Sequence, residues 1–262
     1  MKHLWAVGLL ALAGAAVWAE QPLPTPETFR IPPGYLEQAD LPDSAALIPA
    51  PPVSGSAAQA RDDAASRNGQ ALHGSARWDL ATADAELFSP HDTEALSCAA
   101  GFAIGPDSAP ATNRLLTRAM IDLALSTSGA KKKYQRARPF MENGAPNCTP
   151  AHEAYLRKDG SYPSGHSAIG YGWGLIMAEL VPARATELVA RGRAFGDSRR
   201  VCNVHWLSDI EEGRVVASAT VAKLHAAASF QKDLQAARDE IAAGKLVAPK
   251  RDCAKEAAAL AL

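Results

Sequence analysis

From Ala57 onward, the apolar residues of this chain recur at helical spacing, and no segment alternates apolar and polar residues over a sustained stretch. Alanine is frequent there and runs of β-branched residues are rare, which favours helices over strands. We find no internal repeat and no interdomain linker after residue 57. The sequence therefore predicts an all-α fold, a single-domain helical bundle.

Five segments are predicted to be helical: residues 113–125, 167–180, 182–195, 208–228 and 230–243. The second is apolar nearly all round, which is typical of a central helix. Pro182 suits the first turn of the third helix, and Gly196 is expected to stop it. The fourth begins with Ser208 three residues before Glu211, the spacing of a capping box.

The first 19 residues have the organisation of a signal peptide. A short basic start precedes an apolar run of about 15 residues, and small residues precede a cleavage point after Ala19. The run is shorter than the roughly 20 residues that span a bilayer, so cleavage is favoured over a membrane anchor. No later segment is apolar enough to span. We therefore expect a periplasmic or secreted protein.

Prolines dominate residues 20–57. Proline fixes φ and removes a donor, so this arm is predicted to be extended and irregular. Three interpretations stay open: it wraps the domain, contacts a partner subunit, or forms a loosely ordered tail. We assign residues 58–246 to the helical domain and residues 247–262 to a C-terminal tail.

The formal net charge of −1 gives no reason to expect nucleic acid or an anionic membrane surface as a partner. Four cysteines fit an oxidising compartment, and they allow three pairings. We expect Cys98–Cys148 and Cys202–Cys253, the second of which would tie the tail to the segment that carries His205. No two cysteines have C-x2-C spacing, so a zinc site is not predicted.

Three short segments carry the chemistry. Lys131 precedes Arg138-Pro139 in a K-x6-R-P pattern, which by itself could be a solvated basic patch. Residues 160–166, GSYPSGH, predict a tight turn with exposed amides ahead of a helix, where the helix dipole favours an anion. Ser164 adds a hydroxyl beside that anion, and His166 adds a titratable ring.

The third segment, S-R-x5-H-x3-D, contains Arg199, His205 and Asp209. A carboxylate four residues after a histidine can accept from one ring nitrogen and leave the other free as a nucleophile. Together the segments supply three cations, a hydroxyl, backbone amides, two histidines and a carboxylate. That set suits phosphoryl transfer, because cations and amides hold the phosphoryl oxygens while one imidazole attacks and the other protonates the departing oxygen.

In this order the segments match the signature of the type 2 phosphatidic acid phosphatase and vanadium haloperoxidase superfamily. Within it, residues 160–166 resemble the bacterial class A non-specific acid phosphatases, whose motif is G-S-Y-P-S-G-H-T; here Ser167 replaces the final threonine. Residues 48–56 are similar to the proline-rich segment of that family, and residues 199–209 fit its nucleophile region. The resemblance covers about residues 45–245.

The resemblance implies an all-helical, periplasmic and often oligomeric enzyme that hydrolyses many phosphomonoesters, with transfer to alcohols in some members. It implies His205 as nucleophile, His166 as general acid and Asp209 as the residue that orients His205. It implies five phosphate-binding residues: Lys131, Arg138, Ser164, Gly165 and Arg199. Phosphomonoesters and inorganic phosphate are the expected ligands, with no metal and no cofactor.

Three alternatives differ in class. A vanadium-dependent haloperoxidase would hold vanadate with the same residues, but such chains are usually much longer. A lipid phosphatase of this superfamily would have several membrane spans, which the sequence lacks. A phosphate-binding protein without turnover would not need two histidines and an orienting carboxylate. The preferred substrate, the pH optimum and the number of subunits cannot be read from the sequence.

Overall fold

The computed structural model describes residues 32–87, 89 and 91–262. These residues form helices, turns and loops and contain no strand, which confirms the all-α prediction. The predicted signal segment and the first part of the proline-rich arm lie outside the described residues. Within the described part of the chain, no helix is both long and apolar enough to cross a bilayer.

The α-helices are α1 (Ser44–Leu47), α2 (Ala57–Gln70), α3 (Ala76–Ala83), α4 (Ser97–Ala100), α5 (Pro110–Leu125), α6 (Ser128–Tyr134), α7 (Pro139–Asn143), α8 (Glu153–Leu156), α9 (Gly165–Leu180), α10 (Ala185–Val201), α11 (Leu207–Leu224), α12 (Ala228–Ala242) and α13 (Cys253–Leu260). Short 3-10 turns occur at Gln38–Asp40, Asp92–Leu96, Pro150–His152 and Pro182–Arg184.

Helix α9 lies at the centre of the core and packs against α5, α10 and α11. Its apolar side chains are buried on most sides, so the prediction of a central helix over 167–180 is confirmed. Trp173 is fully buried, and its indole Nε1 donates to the Leu116 carbonyl at 2.8 Å. Burial of each large aliphatic side chain such as Ile176 stabilises the fold by about 1.5 to 3 kcal/mol.

The prediction that Gly196 stops a helix is wrong, because α10 continues through it to Val201. A Cβ atom at this position would lie 2.7 Å from the Ser167 Oγ. Glycine is therefore needed for the close approach of α10 to α9, and not for a left-handed cap. This continuation places Arg199 in the last turn of α10.

The start of α11 also differs from the prediction. The helix begins at Leu207, and the side chain of Asp209 accepts from the Trp206 backbone N–H at 2.9 Å. The capping box predicted from the spacing of Ser208 and Glu211 is therefore wrong, and Asp209 caps the helix instead. The same carboxylate that was expected to orient His205 also fixes the helix start.

The predicted disulfide pairing is wrong: the bridges are Cys98–Cys253 and Cys148–Cys202. Because α10 continues to Val201, Cys202 lies beside the loop that carries Cys148, and the Cys148 amide donates to the Cys202 carbonyl at 3.3 Å. The Cα atoms are 4.8 Å apart, within the range of a disulfide. The tail is therefore tied to α4 and not to the segment that carries His205.

The described part of the arm contacts the helical domain. The Tyr35 hydroxyl donates to the Asp233 carboxylate at 2.9 Å, and the Arg118 guanidinium lies 3.9 Å from the centre of the Tyr35 ring. Further along the arm, the Pro49 carbonyl accepts from the Tyr162 hydroxyl at 2.8 Å. These contacts hold Tyr35 against α5 and α12 and hold Pro49 against the 160–166 segment.

Candidate active site

The three predicted segments meet at one place in the fold. Arg138, just before α7, reaches His205 with its Nη1 atom at 3.1 Å. The amide of Ser164, the N-cap residue of α9, donates to the Asp209 carbonyl at 2.8 Å. Lys131 in α6 and Arg199 at the end of α10 act electrostatically on the same His205 ring. The folded chain thus brings the predicted residues together from five separate elements.

The His205 ring is 3% exposed and has a different partner on each nitrogen. Its Nδ1 atom lies 3.2 Å from the Asp209 Oδ2 atom, and its Nε2 atom lies 3.1 Å from the Arg138 Nη1 atom. A carboxylate only accepts and a guanidinium only donates, so the proton is on Nδ1 and the lone pair is on Nε2. Burial, followed by the charges of Arg138 and Lys131, holds the pKa of His205 well below its usual value.

Lys131 and Arg138 share a carboxylate that the sequence did not identify. Asp159 Oδ2 accepts from the Lys131 ammonium at 2.9 Å and from the Arg138 Nη2 atom at 2.9 Å. Burial and the neighbouring Arg138 charge lower the pKa of Lys131 to about 8, while Asp159 opposes this shift. Asp159 immediately precedes the 160–166 segment, which is the only sequence signal for it.

Arg199 differs from these two cations because it has unused donors. Its side chain is 2% exposed, and its Nε and Nη1 atoms have no hydrogen-bond partner among the described residues. Burial and the nearby Arg138 charge lower its pKa to about 9. Since buried donors are normally paired, two open donors on a buried cation indicate a place for an anion.

His166 lies on the first turn of α9 beside Arg199. Its Nε2 atom donates to the Ala85 carbonyl at 3.0 Å, and its ring stacks on Phe195 with the centroids 6.2 Å apart. A carbonyl only accepts, so Nδ1 is the nitrogen left to take up or release a proton. Burial first, and then the Arg199 charge, hold the pKa of His166 well below its usual value.

The first turn of α9 provides backbone donors. The Ser164 Oγ accepts from the Ser167 amide at 3.2 Å, while the amides of Gly165 and His166 come before the first intrahelical bond. Helix α11 approaches this turn closely, because a Cβ atom at Gly213 would lie 2.6 Å from the Ser164 carbonyl oxygen. The packing of α11 thus fixes this turn, whose free amides are suited to bind an oxyanion.

The sequence also did not identify the charged groups that contact Asp209 on the side away from His205. Arg136 bridges Asp209 and Asp62, and all three side chains are at least nine-tenths buried. Asp62 is 74 residues from Arg136, so no local spacing points to the pair. Among the described residues, no group of three His, Cys, Asp or Glu side chains is placed to hold a metal ion.

Comparison with known proteins places this geometry in a family. The sequence profile of the PAP2 superfamily matches residues 113–232. The chain is 39% identical to a non-specific acid phosphatase of Providencia stuartii over 92% of this chain and 98% of that protein. It is 41% identical to an acid phosphatase of Zymomonas mobilis over 73% and 72% of the two chains. A non-specific acid phosphatase of Salmonella typhimurium is 39% identical over 74% and 78%. The chain therefore belongs to the PAP2 superfamily and, within it, groups with the non-specific acid phosphatases.

Proposed function

We propose that this protein is an exported acid phosphatase that hydrolyses phosphomonoesters of broad structure through a phosphohistidine on His205, without a metal ion. The observation that carries the proposal is the His205 ring. Its Nδ1–H faces a buried carboxylate, its Nε2 lone pair accepts from Arg138, and the charges of Lys131 and Arg199 also act on the ring. The relatives named acid phosphatases support the reaction class.

In the proposed first step, Nε2 of His205 attacks phosphorus while the bond from phosphorus to the ester oxygen breaks. His166 gives the proton from Nδ1 to the departing alcohol. The positive charge that forms on the His205 ring is stabilised by Asp209, which accepts from Nδ1–H. Lys131, Arg138 and Arg199, with the Ser164 hydroxyl and the Gly165 amide, hold the remaining phosphoryl oxygens.

In the second step, water attacks the phosphohistidine and gives its proton to His166, and the bond between phosphorus and Nε2 breaks to release inorganic phosphate. An alcohol that takes the place of water would instead receive the phosphoryl group. This alternative acceptor is the basis of the proposed phosphotransferase activity.

Phosphate binding must change the proton affinity of His166. Burial first, and then the charge of Arg199, hold the pKa of His166 well below its usual value, which favours the neutral ring. A phosphate ester brings negative charge to Arg199 and so raises the pKa of His166 in the complex. The acid optimum is proposed on this ground: the bound enzyme needs a protonated His166 together with a free Nε2 on His205.

The test is hydrolysis of para-nitrophenyl phosphate by the purified mature protein between pH 4 and pH 8, with and without a chelator. We expect hydrolysis that the chelator leaves unchanged, and acid-labile labelling by ³²P substrate that is absent in His205→Ala. His225→Ala is the matched control, since this ring lies at the surface on Glu179. If no hydrolysis occurs at any of these pH values, the protein is not a phosphatase. Loss of activity with the chelator would refute metal independence. Labelling of His205→Ala would refute the assignment of His205 as the nucleophile.

Export and assembly are proposed separately. We expect cleavage after Ala19 and a periplasmic or secreted mature form, and a homo-oligomer in solution. The mature N-terminus, obtained by protein sequencing after cell fractionation, tests the first expectation. Light scattering of the purified protein tests the second, with a monomer mass as the contrary result.

A further inference from the structure

Both oxygens of Asp209 are occupied. Oδ2 accepts from the Trp206 amide at 2.9 Å and from the His205 Nδ1 atom at 3.2 Å. Oδ1 accepts from the Arg136 Nη1 atom at 2.7 Å. The carboxylate therefore cannot rotate or shift toward His205 without breaking a bond to Arg136 or to the helix start.

Arg136 is itself held on its far side. Its Nη2 atom donates to the Asp62 Oδ2 atom at 2.8 Å and to the Gln59 Oε1 atom at 2.7 Å. Asp62 also accepts from the Ser208 amide at 2.8 Å and from the Ser208 hydroxyl at 2.6 Å. Two side chains of α2 thus fix one arginine and the first turn of α11, which carries Asp209.

The four groups alternate in charge: the His205 ring that becomes positive, Asp209, Arg136 and Asp62. Asp62 is 1% exposed and Asp209 is fully buried, so water screens these charges weakly. A buried carboxylate beside a histidine is costly unless a cation pairs with it. Arg136 is the cation that contacts Asp209 directly and does not face the phosphate site.

We propose that Arg136, braced by Asp62, is a positioning residue that holds Asp209 as an oriented carboxylate and, through it, sets the reactivity of His205. The inference rests on the proposed phosphohistidine mechanism. Arg136 would act on the formation of the phosphoenzyme and not on phosphate binding, because its Nη1 atom donates to Asp209 and Ser208 and its Nη2 atom donates to Gln59 and Asp62.

The charged groups around Asp209 set the direction of the pH effect. Arg136 and His205 contact it directly, and Lys131 and Arg138 interact with its charge from the phosphate side. Burial raises the pKa of Asp209, while Arg136 opposes the rise. Without Arg136 the pKa rises further, so Asp209 takes up a proton at higher pH. The acid limb of the kcat/KM profile should then move to higher pH.

The experiment compares Arg136→Gln, Arg136→Lys and Asp62→Asn with the control Arg61→Gln. Arg61 also joins α2 to α11, through Glu211 at 2.6 and 2.7 Å, but its side chain is 61% exposed. For Arg136→Gln we expect kcat to fall about tenfold to a hundredfold, a typical effect of losing an outer partner. KM and the inhibition constant of inorganic phosphate should stay within about twofold, whereas Arg61→Gln should match the wild type.

Histidine NMR supplies a readout that needs no turnover. In ¹⁵N-labelled wild-type protein, His205 should be the Nδ1–H tautomer, and Arg136→Gln should lower its pKa or mix the tautomers. Unchanged His205 signals and an unchanged acid limb would overturn the inference even if the enzyme is a phosphatase. A wild type without activity would instead refute the proposed function, whatever the NMR shows.

Folding is checked by thermal unfolding of every variant. If Arg136→Gln does not fold, the inference is tested with Asp62→Asn and Arg136→Lys. Each of these variants keeps a cation beside Asp209 and removes part of the contact between Arg136 and Asp62. A smaller loss of kcat with an upward shift of the acid limb in these two supports the inference. If both variants have the kcat and the pH profile of the wild type, the inference is overturned. It is also overturned if phosphate affinity falls as much as kcat does.

Discussion

The cations of the site differ in what they bind before substrate arrives. Arg138 already donates to the Leu156 and Val204 carbonyls and to Asp159, and Lys131 is paired with the same carboxylate. Arg199 has two buried nitrogens without a partner among the described residues. We therefore expect Arg199 to gain the most hydrogen bonds in the proposed complex with phosphate.

Arg199→Gln should lower kcat/KM about a hundredfold, which corresponds to about 2.7 kcal/mol of transition-state stabilisation. The melting temperature should not fall, because the substitution removes a buried charge without a compensating acceptor. Arg200→Gln is the control, since its guanidinium donates to the Ala65 carbonyl away from the site. An unchanged phosphate affinity in Arg199→Gln would contradict this role.

Asp159 accepts from Lys131 and Arg138, two of the residues that we propose bind phosphate. Asp159→Asn should lower the inhibition constant of inorganic phosphate about threefold to tenfold when it is measured at pH 5 to 6, well below the pKa of about 8 that Lys131 has beside Asp159. Asp197→Asn is matched to it, because Asp197 has similar exposure and pairs with Arg214. A higher inhibition constant would mean that Asp159 orients the two cations and does not compete for them.

At the scale of elements, the site depends on how closely α11 approaches the first turn of α9. Gly213→Ala should destabilise the protein by about 1 to 3 kcal/mol, because the new methyl group would overlap the Ser164 carbonyl. Displacement of this turn should also lower kcat/KM. Urea unfolding and phosphatase assays measure both effects. Ser218→Ala, at an exposed position of α11, should change neither quantity.

Helical periodicity was sufficient to predict α5, α9, α11 and α12 to within a few residues, because their apolar faces are set by local sequence. The end of α10 was missed, since a glycine that permits helix contact cannot be distinguished locally from one that caps a helix. The capping residue of α11 was missed because Asp209 has two roles. For α10 the deciding contact, with Ser167, lies on another element.

The candidate site followed from short motifs whose residues the fold brings together. The motifs did not reveal the groups that support them. Asp159 is 28 residues from Lys131, and Asp62 is 146 residues from Ser208. Partners of buried charges are chosen by tertiary packing, which one sequence does not encode in its spacing. The prediction of the cysteine pairing was wrong for the same reason.

At the scale of the molecule, the two disulfides should have separable effects. Cys98→Ala with Cys253→Ala should cost about 2 to 5 kcal/mol of unfolding free energy and leave kcat unchanged, because this bridge joins the tail to α4. Cys148→Ala with Cys202→Ala should lower both stability and kcat, since Cys202 lies three residues before His205. Equal loss of kcat in both double variants would contradict this division.

The bridge from Cys98 to Cys253 closes a covalent ring around the 154 residues between them, a separation of 155 in the chain. Every residue proposed to touch phosphate lies inside that ring, and the Cys148–Cys202 bridge is nested within it. A protease that cut the exposed peptide after Lys158 would leave the two fragments joined at both bridges. Such a nicked molecule would keep its mass apart from one added water, and only a reducing gel would show two chains.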